Sequence, residues 1–454
     1  MNLVMEMLER SEDLRYTTKF ACLDSLVPEG HLLRKIEKVI DFCKIYGMVE
    51  HLYCEDNGRP AVDPVVLVKI VLLQHLYGIK SLRQTMKEVD MNIAYRWFIG
   101  YDIDTPVPHF ATVSYAFASR FPSEVFAEIF AWILEAVVKK GFVKAEMIFL
   151  DATHIKANAN RKKHRKELAV KAARVYDERL REEIGADRAS HGKKPLRDSD
   201  DDDGSAAGGM KEVSVSTTDP ESGLFHKGEH KVEFAYTAHV ACDKNNFILG
   251  CEVTPGNVHD SMVFDRVYDA VVDRFEEVRT VAVDAGYKTP WICKKVQEDG
   301  RNLSTAYKRP MSKKGFFRSY EYVYDEYYDC VICPNNQVLS YSTTNRGGYR
   351  EFKSNPKICA ACPQLSRCTQ SANHQKVVTK HIWEHHIDAA EDFRHSPAGR
   401  ESYGLRSQTI ERVFADAKEK HGMRYTLHKG LERVRNWVRL KFAAMNLKKL
   451  AMWA

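Results

Sequence analysis

Two short apolar runs, Met147-Ile-Phe-Leu150 and Thr280-Val-Ala-Val283, each stop at an aspartate, Asp151 and Asp284. Runs of this kind read as buried strands, so each Asp is expected at the C-terminal tip of its strand. In open α/β sheets functional groups collect beyond the carboxyl ends of the strands, and two carboxylates on neighbouring tips would converge there. The segments between them complete a pattern. Val232–Val240 and Phe247–Val253, joined by Asp243-Lys-Asn-Asn246, read as a hairpin. Met262–Phe275 is amphipathic, Thr289-Pro290 opens a further helix, and Leu303–Tyr307 is a last strand. The order predicts a mixed sheet with helices on its faces, an α/β fold.

A carboxylate pair suits a divalent metal. Mg²⁺ prefers hard oxygen ligands, and two ions about 3.5–4 Å apart can hold the attacking and leaving oxygens of a phosphodiester displacement. A third acid, Glu411, lies in Arg406-Ser-Gln-Thr-Ile-Glu-Arg-Val-Phe-Ala-Asp-Ala-Lys418. Glu411 and Lys418 are two helical turns apart and share a face, while Ile410, Phe414 and Ala417 mark the core side of the same helix.

Residues 1 to 145 read as helical. Asp63 to Tyr77 begins with an Asp-Pro entry signal and stops at Gly78, and Ser81-Leu-Arg-Gln84 has the spacing of a capping box. The helix-turn-helix outline gives its second helix a basic face of Lys80, Arg83 and Lys87, suited to DNA. Charge distribution adds to this. The chain of 454 residues carries a net +6, yet residues 401 to 454 hold 12 Lys and Arg against 5 Asp and Glu, a net +7. Arg424, Lys429, Arg433, Arg435, Arg439 and Lys441, mixed with Trp437 and Phe442, are candidates for phosphate neutralisation. Hydrophobic residues at 44% and charged residues at 29% exclude a wholly disordered chain or a collagen-like fibre. No apolar stretch approaches the about 20 residues of a membrane span, and the acid-bearing start MNLVMEMLER lacks signal-peptide character, so a cytoplasmic protein is expected.

The eleven cysteines divide. Cys22, Cys43, Cys54, Cys242, Cys251 and Cys293 are scattered and expected as core thiols. Cys330, Cys333, Cys359, Cys362 and Cys368 cluster as CxxC units, a zinc signal, with five thiols competing for four tetrahedral places. Spacing alone favours Cys330, Cys333, Cys359 and Cys362. Residues 161 to 216, with the basic run Arg161–Lys166 and the acidic run Asp200–Asp203, read as a flexible charged insertion.

The elements LDATHIKANAN around Asp151, VTPGNVHDS around His259 and Asp260, AVDAGYKTP around Asp284, and RSQTIERVFADAKEKHG around Glu411 resemble the DDE transposases of bacterial insertion sequences. The likeness is closest to the branch with a cysteine-rich insertion before the catalytic Glu. Leu26-Val-Pro-Glu-Gly-His31, Gly58-Arg-Pro60 and Asp63-Pro64 resemble the N-terminal domain of the same transposases. The resemblance implies a ribonuclease-H-like core in which Asp151, Asp284 and Glu411 ligate two Mg²⁺ or Mn²⁺ ions. It implies that water cuts at the element's ends and that the freed 3′-hydroxyl attacks target DNA. It also implies a structural Zn²⁺ on Cys333, Cys359, Cys362 and Cys368, and catalytic roles for Tyr403, Arg406 and Lys418. Four residues separate Arg406 from Glu411 where the general pattern has three.

The expected architecture is therefore a helical DNA-binding domain over 1–145, a core over 146–310, a zinc-ribbon-like module over 311–378, and the remaining core helices with the basic tail over 379–454. Expected DNA contacts are Arg83, Lys87, Arg406, Arg424, Arg433 and Arg439, on terminal inverted repeats and target DNA. A homodimer or higher oligomer on DNA is the expected assembly. Two other readings stand beside this one: a catalytically silent, transposase-derived regulator, and a metal-dependent nuclease without strand transfer.

Overall fold

The computed structural model describes residues 13, 15–18, 20–54, 61–170, 176–196, 210–227, 231–307 and 313–454. Gly58-Arg-Pro60 and the acidic run Asp200–Asp203 lie outside these. The chain divides into two units, 1–125 with 447–454, and 126–446.

The first unit is helical among its described residues. In the helix Pro64–Leu76, Pro64 occupies the first turn, and Asp63 Oδ1 accepts from the Val65 N–H at 2.7 Å. A run this apolar is buried almost all round, and Leu67, Val68, Ile70, Leu72 and Leu73 are sealed from solvent. Leu82–Met91 follows, with Ser81 Oγ accepting from Gln84 N–H at 3.2 Å. The reciprocal half of the capping box does not form, because Gln84 Nε2 donates to Glu88 at 3.1 Å instead.

The second unit is built on a mixed sheet. Its strands are β1 (Met147–Lys156), β2 (His164–Val170), β3 (Met210–Ser216), β4 (Gly223–Lys227), β5 (Lys231–Asp243), β6 (Ile248–Pro255), β7 (Thr280–Val283) and β8 (Asn302–Thr305). Strand β1 pairs parallel with β7 and antiparallel with β5, and β7 pairs parallel with β8. On the far side of β5, β4 covers its first residues and β6 the rest, with Gly223 opposite Ala235 and Pro255 opposite Tyr236. Gly223 and Gly256, at this junction, leave no room for a side chain. A Cβ on Gly256 would lie 2.7 Å from the Ala235 carbonyl, and one on Gly223 would strike the Asn257 backbone.

Period-two alternation assigns the faces. Ile148, Leu150, Val281 and Val283 pack with the helices Phe264–Val272 and Pro290–Glu298. Phe149, Val240 and Ala282 pack on the opposite face with Ile410, Phe414, Val434, Trp437 and Phe442. The basic tail therefore differs from expectation: Trp437 and Phe442 are core, and Lys441 is buried with its ammonium donating to the His421 carbonyl.

Strands β9 (Val323–Asp325), β10 (Cys330–Ile332), β11 (Val338–Thr344), β12 (Tyr349–Lys353) and β13 (Val377–His381) form a separate antiparallel meander. It curls so far that Lys380 on one edge strand lies 4.5 Å from the Tyr324 ring on the other. Tyr322, Val331, Leu339 and Phe352 fill its interior. The segment 161–216, expected to be mobile, supplies β2, β3 and the helix Asp177–Ser190 among its described residues. That helix anchors the meander: Asp187 accepts from Arg350 Nε at 2.7 Å, and Arg188 Nη1 donates to the Thr344 carbonyl at 2.8 Å.

Three of the scattered cysteines are not core thiols. Cys22, Cys43 and Cys54 are exposed at helix ends and in loops, while Cys242 and Cys293 are buried and Cys251 is partly so. Among the described residues no helix is long and apolar enough to cross a membrane.

Candidate active site at the β1–β7 edge

Asp151 is not at a strand tip. Strand β1 runs on to Lys156, because the polar-looking Ala152–Lys156 continues its pairing with β5. What ends beside Asp151 is β7. Leu150 pairs with Val283, the last residue of β7, so Asp151 and Asp284 are successive positions on two parallel neighbours. Both follow the parity of Phe149 and Ala282, the face covered by the helix Ile410–Glu419. Convergence thus comes from the register of a short strand on a long one.

Glu411 is exposed in the first turn of that helix, whose buried side is Ile410, Val413, Phe414 and Ala417. Lys418 is half-buried two turns further on. Arg406 departs from its expected role as a DNA contact. It is buried, with Nη2 2.6 Å from Asp151 Oδ2 and Nη1 3.5 Å from the Leu150 carbonyl. The extra residue between Arg406 and Glu411 is absorbed by a 3₁₀ turn over Leu405–Gln408 and a backbone break at Thr409, with φ −114° and ψ −99°. Tyr403 lies beside Arg406, ring centre to guanidinium 5.6 Å. Burial raises the pKa of its phenol, and the charges of Asp284, Glu411 and Asp151 reach it as well.

Burial holds the Asp151 carboxyl up at about 6, with Asp284 and Asp260 adding to the rise and Arg406 opposing it. Asp260 is the acid that sequence reading left out of the site. It begins a 3₁₀ turn over Asp260–Met262 that His259 caps, Nδ1 accepting from the Ser261 N–H at 3.3 Å. Its own pKa is raised by burial and by Asp284. The motif VHDS carries this acid, and His259 beside it is an exposed cap.

In the meander, Cys333, Cys359, Cys362 and Cys368 line one small pocket with Phe317, Leu339 and Leu365. Cys330 lies within β10, buried and paired opposite Ser340, and does not line it. The pocket's sulfurs meet polar groups: the Gln337 N–H lies 3.3 Å from Cys333 Sγ, Asn335 Nδ2 3.6 Å from Cys362 Sγ, and the Tyr322 hydroxyl 3.3 Å from Cys368 Sγ. As the side chains stand, no group of three or more His, Cys, Asp or Glu among the described residues is drawn together to hold a metal ion.

Of the other expected DNA contacts, Arg83 and Lys87 are exposed on Leu82–Met91, Arg83 resting 4.5 Å from the Phe110 ring. Arg424 and Arg433 are exposed, Arg424 pairing with Glu419, and Arg439 is half-buried.

A mixed α/β sheet with two carboxylates side by side on parallel strands, and a third on a helix packed over the same face, defines a candidate acidic nuclease-type centre. Two family models match the chain: a transposase domain (DUF772) over residues 21–119 and a transposase DDE domain over residues 332–451. Each spans well under half of the chain, and the matches liken these two stretches to transposase domains. No curated protein matches. A solved structure, the Mos1 transposase paired-end complex with left transposon end, matches at 10% identity and a TM-score of 0.17, over 55% of this chain and 61% of that one. The chain thus spans about three-fifths of that relative's length, and the likeness is too remote to bear on the site.

Proposed function

We propose that the protein is a DNA transposase that cuts phosphodiester bonds at the ends of an insertion sequence and joins the 3′-hydroxyl to target DNA. The observation carrying this reading is the register of β1 on β7, which sets Asp151 beside Asp284 under the helix bearing Glu411. The mixed order β6-β5-β1-β7-β8 supports a ribonuclease-H-like core.

The donor set fits a hard divalent cation. Its atoms are carboxylate oxygens, the hard ligands such an ion prefers. Asp151, Asp284 and Glu411 would hold Mg²⁺ or Mn²⁺, which when bound supplies an activated nucleophile and stabilises the charge of an in-line displacement. Arg406 keeps the Asp151 carboxylate oriented, and Lys418 offers a cation to a phosphate on the Glu411 face. Arg83, Lys87, Arg424 and Arg433, being exposed, are the proposed duplex contacts, with Arg439 a lesser one. A DNA-bound homodimer or higher oligomer in the cytoplasm is the working assembly.

The four cysteines sharing one pocket form a sulfur-only donor set that suits a structural Zn²⁺, with Cys330 outside it.

The test is cleavage of a plasmid carrying the gene with its natural flanking DNA. Asp151→Ala and Asp284→Ala abolish Mg²⁺-dependent cutting and spare DNA binding; cutting at the wild-type rate by either variant overturns the assignment. Joined products separate transposition from a nuclease that stops at the break.

A further inference from the structure

Asp260 has a position that its local structure does not explain. An acid in the first turn of a short helix is ordinarily there to cap it, but His259 already caps this one, accepting from the Ser261 N–H and lying 2.8 Å from Ser261 Oγ. Among the described residues the Asp260 carboxylate makes no hydrogen bond. His239 lies beside it, with Nδ1 3.7 Å from Oδ1.

The His239 imidazole is 2% exposed on β5. Nε2 lies 2.9 Å from Thr254 Oγ1 on β6, and Nδ1 lies 3.5 Å from the Tyr287 hydroxyl. Tyr287 is itself buried at the end of the turn that starts from Asp284. Gly286 in that turn brings backbone close to the acid, since a Cβ there would be 3.9 Å from Asp260 Oδ2. Asp260 thereby lies between β5 and the turn after β7, close enough for its charge to reach Asp151 and for that of Asp284 to reach it.

We propose that Asp260 is a fourth carboxylate of the acidic centre, facing the divalent cation, and that His239 is the positioning residue that aims it. This rests on the reading of Asp151, Asp284 and Glu411 as metal ligands and enlarges that set. The segment from Asp260 to Asp284, which runs through the helix Phe264–Val272 and β7, would then carry two ligands rather than one.

The experiment is Mn²⁺ binding to the full chain without DNA, read from the loss of the free-ion electron paramagnetic resonance signal, beside melting in EDTA. Asp284→Asn serves as the reference. Asp260→Asn is expected to weaken Mn²⁺ binding by about ten-fold or more, and His239→Gln by less, with melting in EDTA near wild type. Asp260→Glu, which keeps the charge, should recover part of the affinity. Weakened binding by Asp284→Asn together with wild-type binding by Asp260→Asn overturns the inference alone. Wild-type binding by Asp284→Asn overturns the metal-centre reading beneath it. Should Asp260→Asn not fold, Asp260→Ser carries the same comparison.

Discussion

Arg406 and Asp151 form an ion pair, Nη2 to Oδ2 2.6 Å, that ties the turn before the Glu411 helix to the middle of β1. The pair is mostly enclosed, with side-chain exposures of 5% and 19%, so neither charge is solvated well without the other. Removing one partner of such a buried pair costs about 3–5 kcal/mol, since the remaining charge is left uncompensated. Arg406→Met should therefore lower the melting temperature in EDTA. A divalent ion at Asp151 and Asp284 would restore the missing positive charge, so added Mg²⁺ should stabilise Arg406→Met more than wild type. Equal stabilisation of the two by Mg²⁺ would separate the ion pair from the metal centre.

The cysteine assignment gives a composition test. Serine substitution of Cys333, Cys359, Cys362 or Cys368 should each remove stoichiometric zinc from the purified protein, measured by mass spectrometry of the metal. Cys330→Ser should leave it bound, because Cys330 lies in β10 away from the shared pocket. Loss of zinc in Cys330→Ser with retention in Cys368→Ser would reverse the choice.

Asp187 is the point at which the helix Asp177–Ser190 grips the meander. Its carboxylate takes hydrogen bonds from Arg350 and from the Thr344 hydroxyl, and it is 9% exposed. Asp187→Ala leaves those donors without their acceptor and should destabilise the meander by about 2–4 kcal/mol. Hydrogen exchange should quicken in β11 and β12 while β1, β5 and β7 keep their protection. Uniform loss across both sheets would show that the two do not open separately.

Lys441 makes stability depend on pH. Burial lowers its pKa from the usual 10.5 to about 7, so between about pH 7 and 10 the unfolded chain holds a proton that the folded chain has lost. Where the unfolded state binds more protons, stability rises with pH, and below about pH 7 the full cost of the buried charge is present. Lys441→Met should stabilise the protein at pH 7 by about 1–3 kcal/mol and flatten this rise, read from denaturant midpoints across the range. A midpoint curve for Lys441→Met parallel to wild type would remove Lys441 as its source.

Much of the sheet was legible because its strands are short apolar runs with turn chemistry between them: Thr280–Val283 is strand β7 residue for residue, and Asp243–Asn246 is the hairpin turn, with Asn246 at φ 62°. The carboxylates were legible as a pair for the same reason. Their geometry was not, because Ala152–Lys156 reads as polar yet stays in β1 through pairing with Ala235–His239 of β5, far along the chain. Lys441, Trp437 and Phe442 read as part of one basic-aromatic surface, and Arg406 as a DNA contact, because composition records charge and not depth. Asp260 was passed over since nothing local distinguishes a capping acid from one whose cap is already supplied by its neighbour.

Exposure now sorts the cations that sequence could only list, and salt dependence tests the sorting. Each phosphate neutralised by a protein cation releases condensed counterions and contributes about 0.9 to the slope of log affinity against log salt on duplex DNA. Arg83 and Lys87 are both exposed on one helix, so replacing the two with alanine should reduce that slope by about 2 while leaving melting unchanged. Arg424→Ala with Arg433→Ala should act in the same way, with a smaller loss because Arg424 already pairs with Glu419. Lys441→Met supplies the contrast: its ammonium is buried against the His421 carbonyl and the Trp437 ring, so the slope should not move. A reduced slope in Lys441→Met, or an unchanged one in the Arg83 and Lys87 double variant, would mean that surface exposure does not identify the residues that meet DNA.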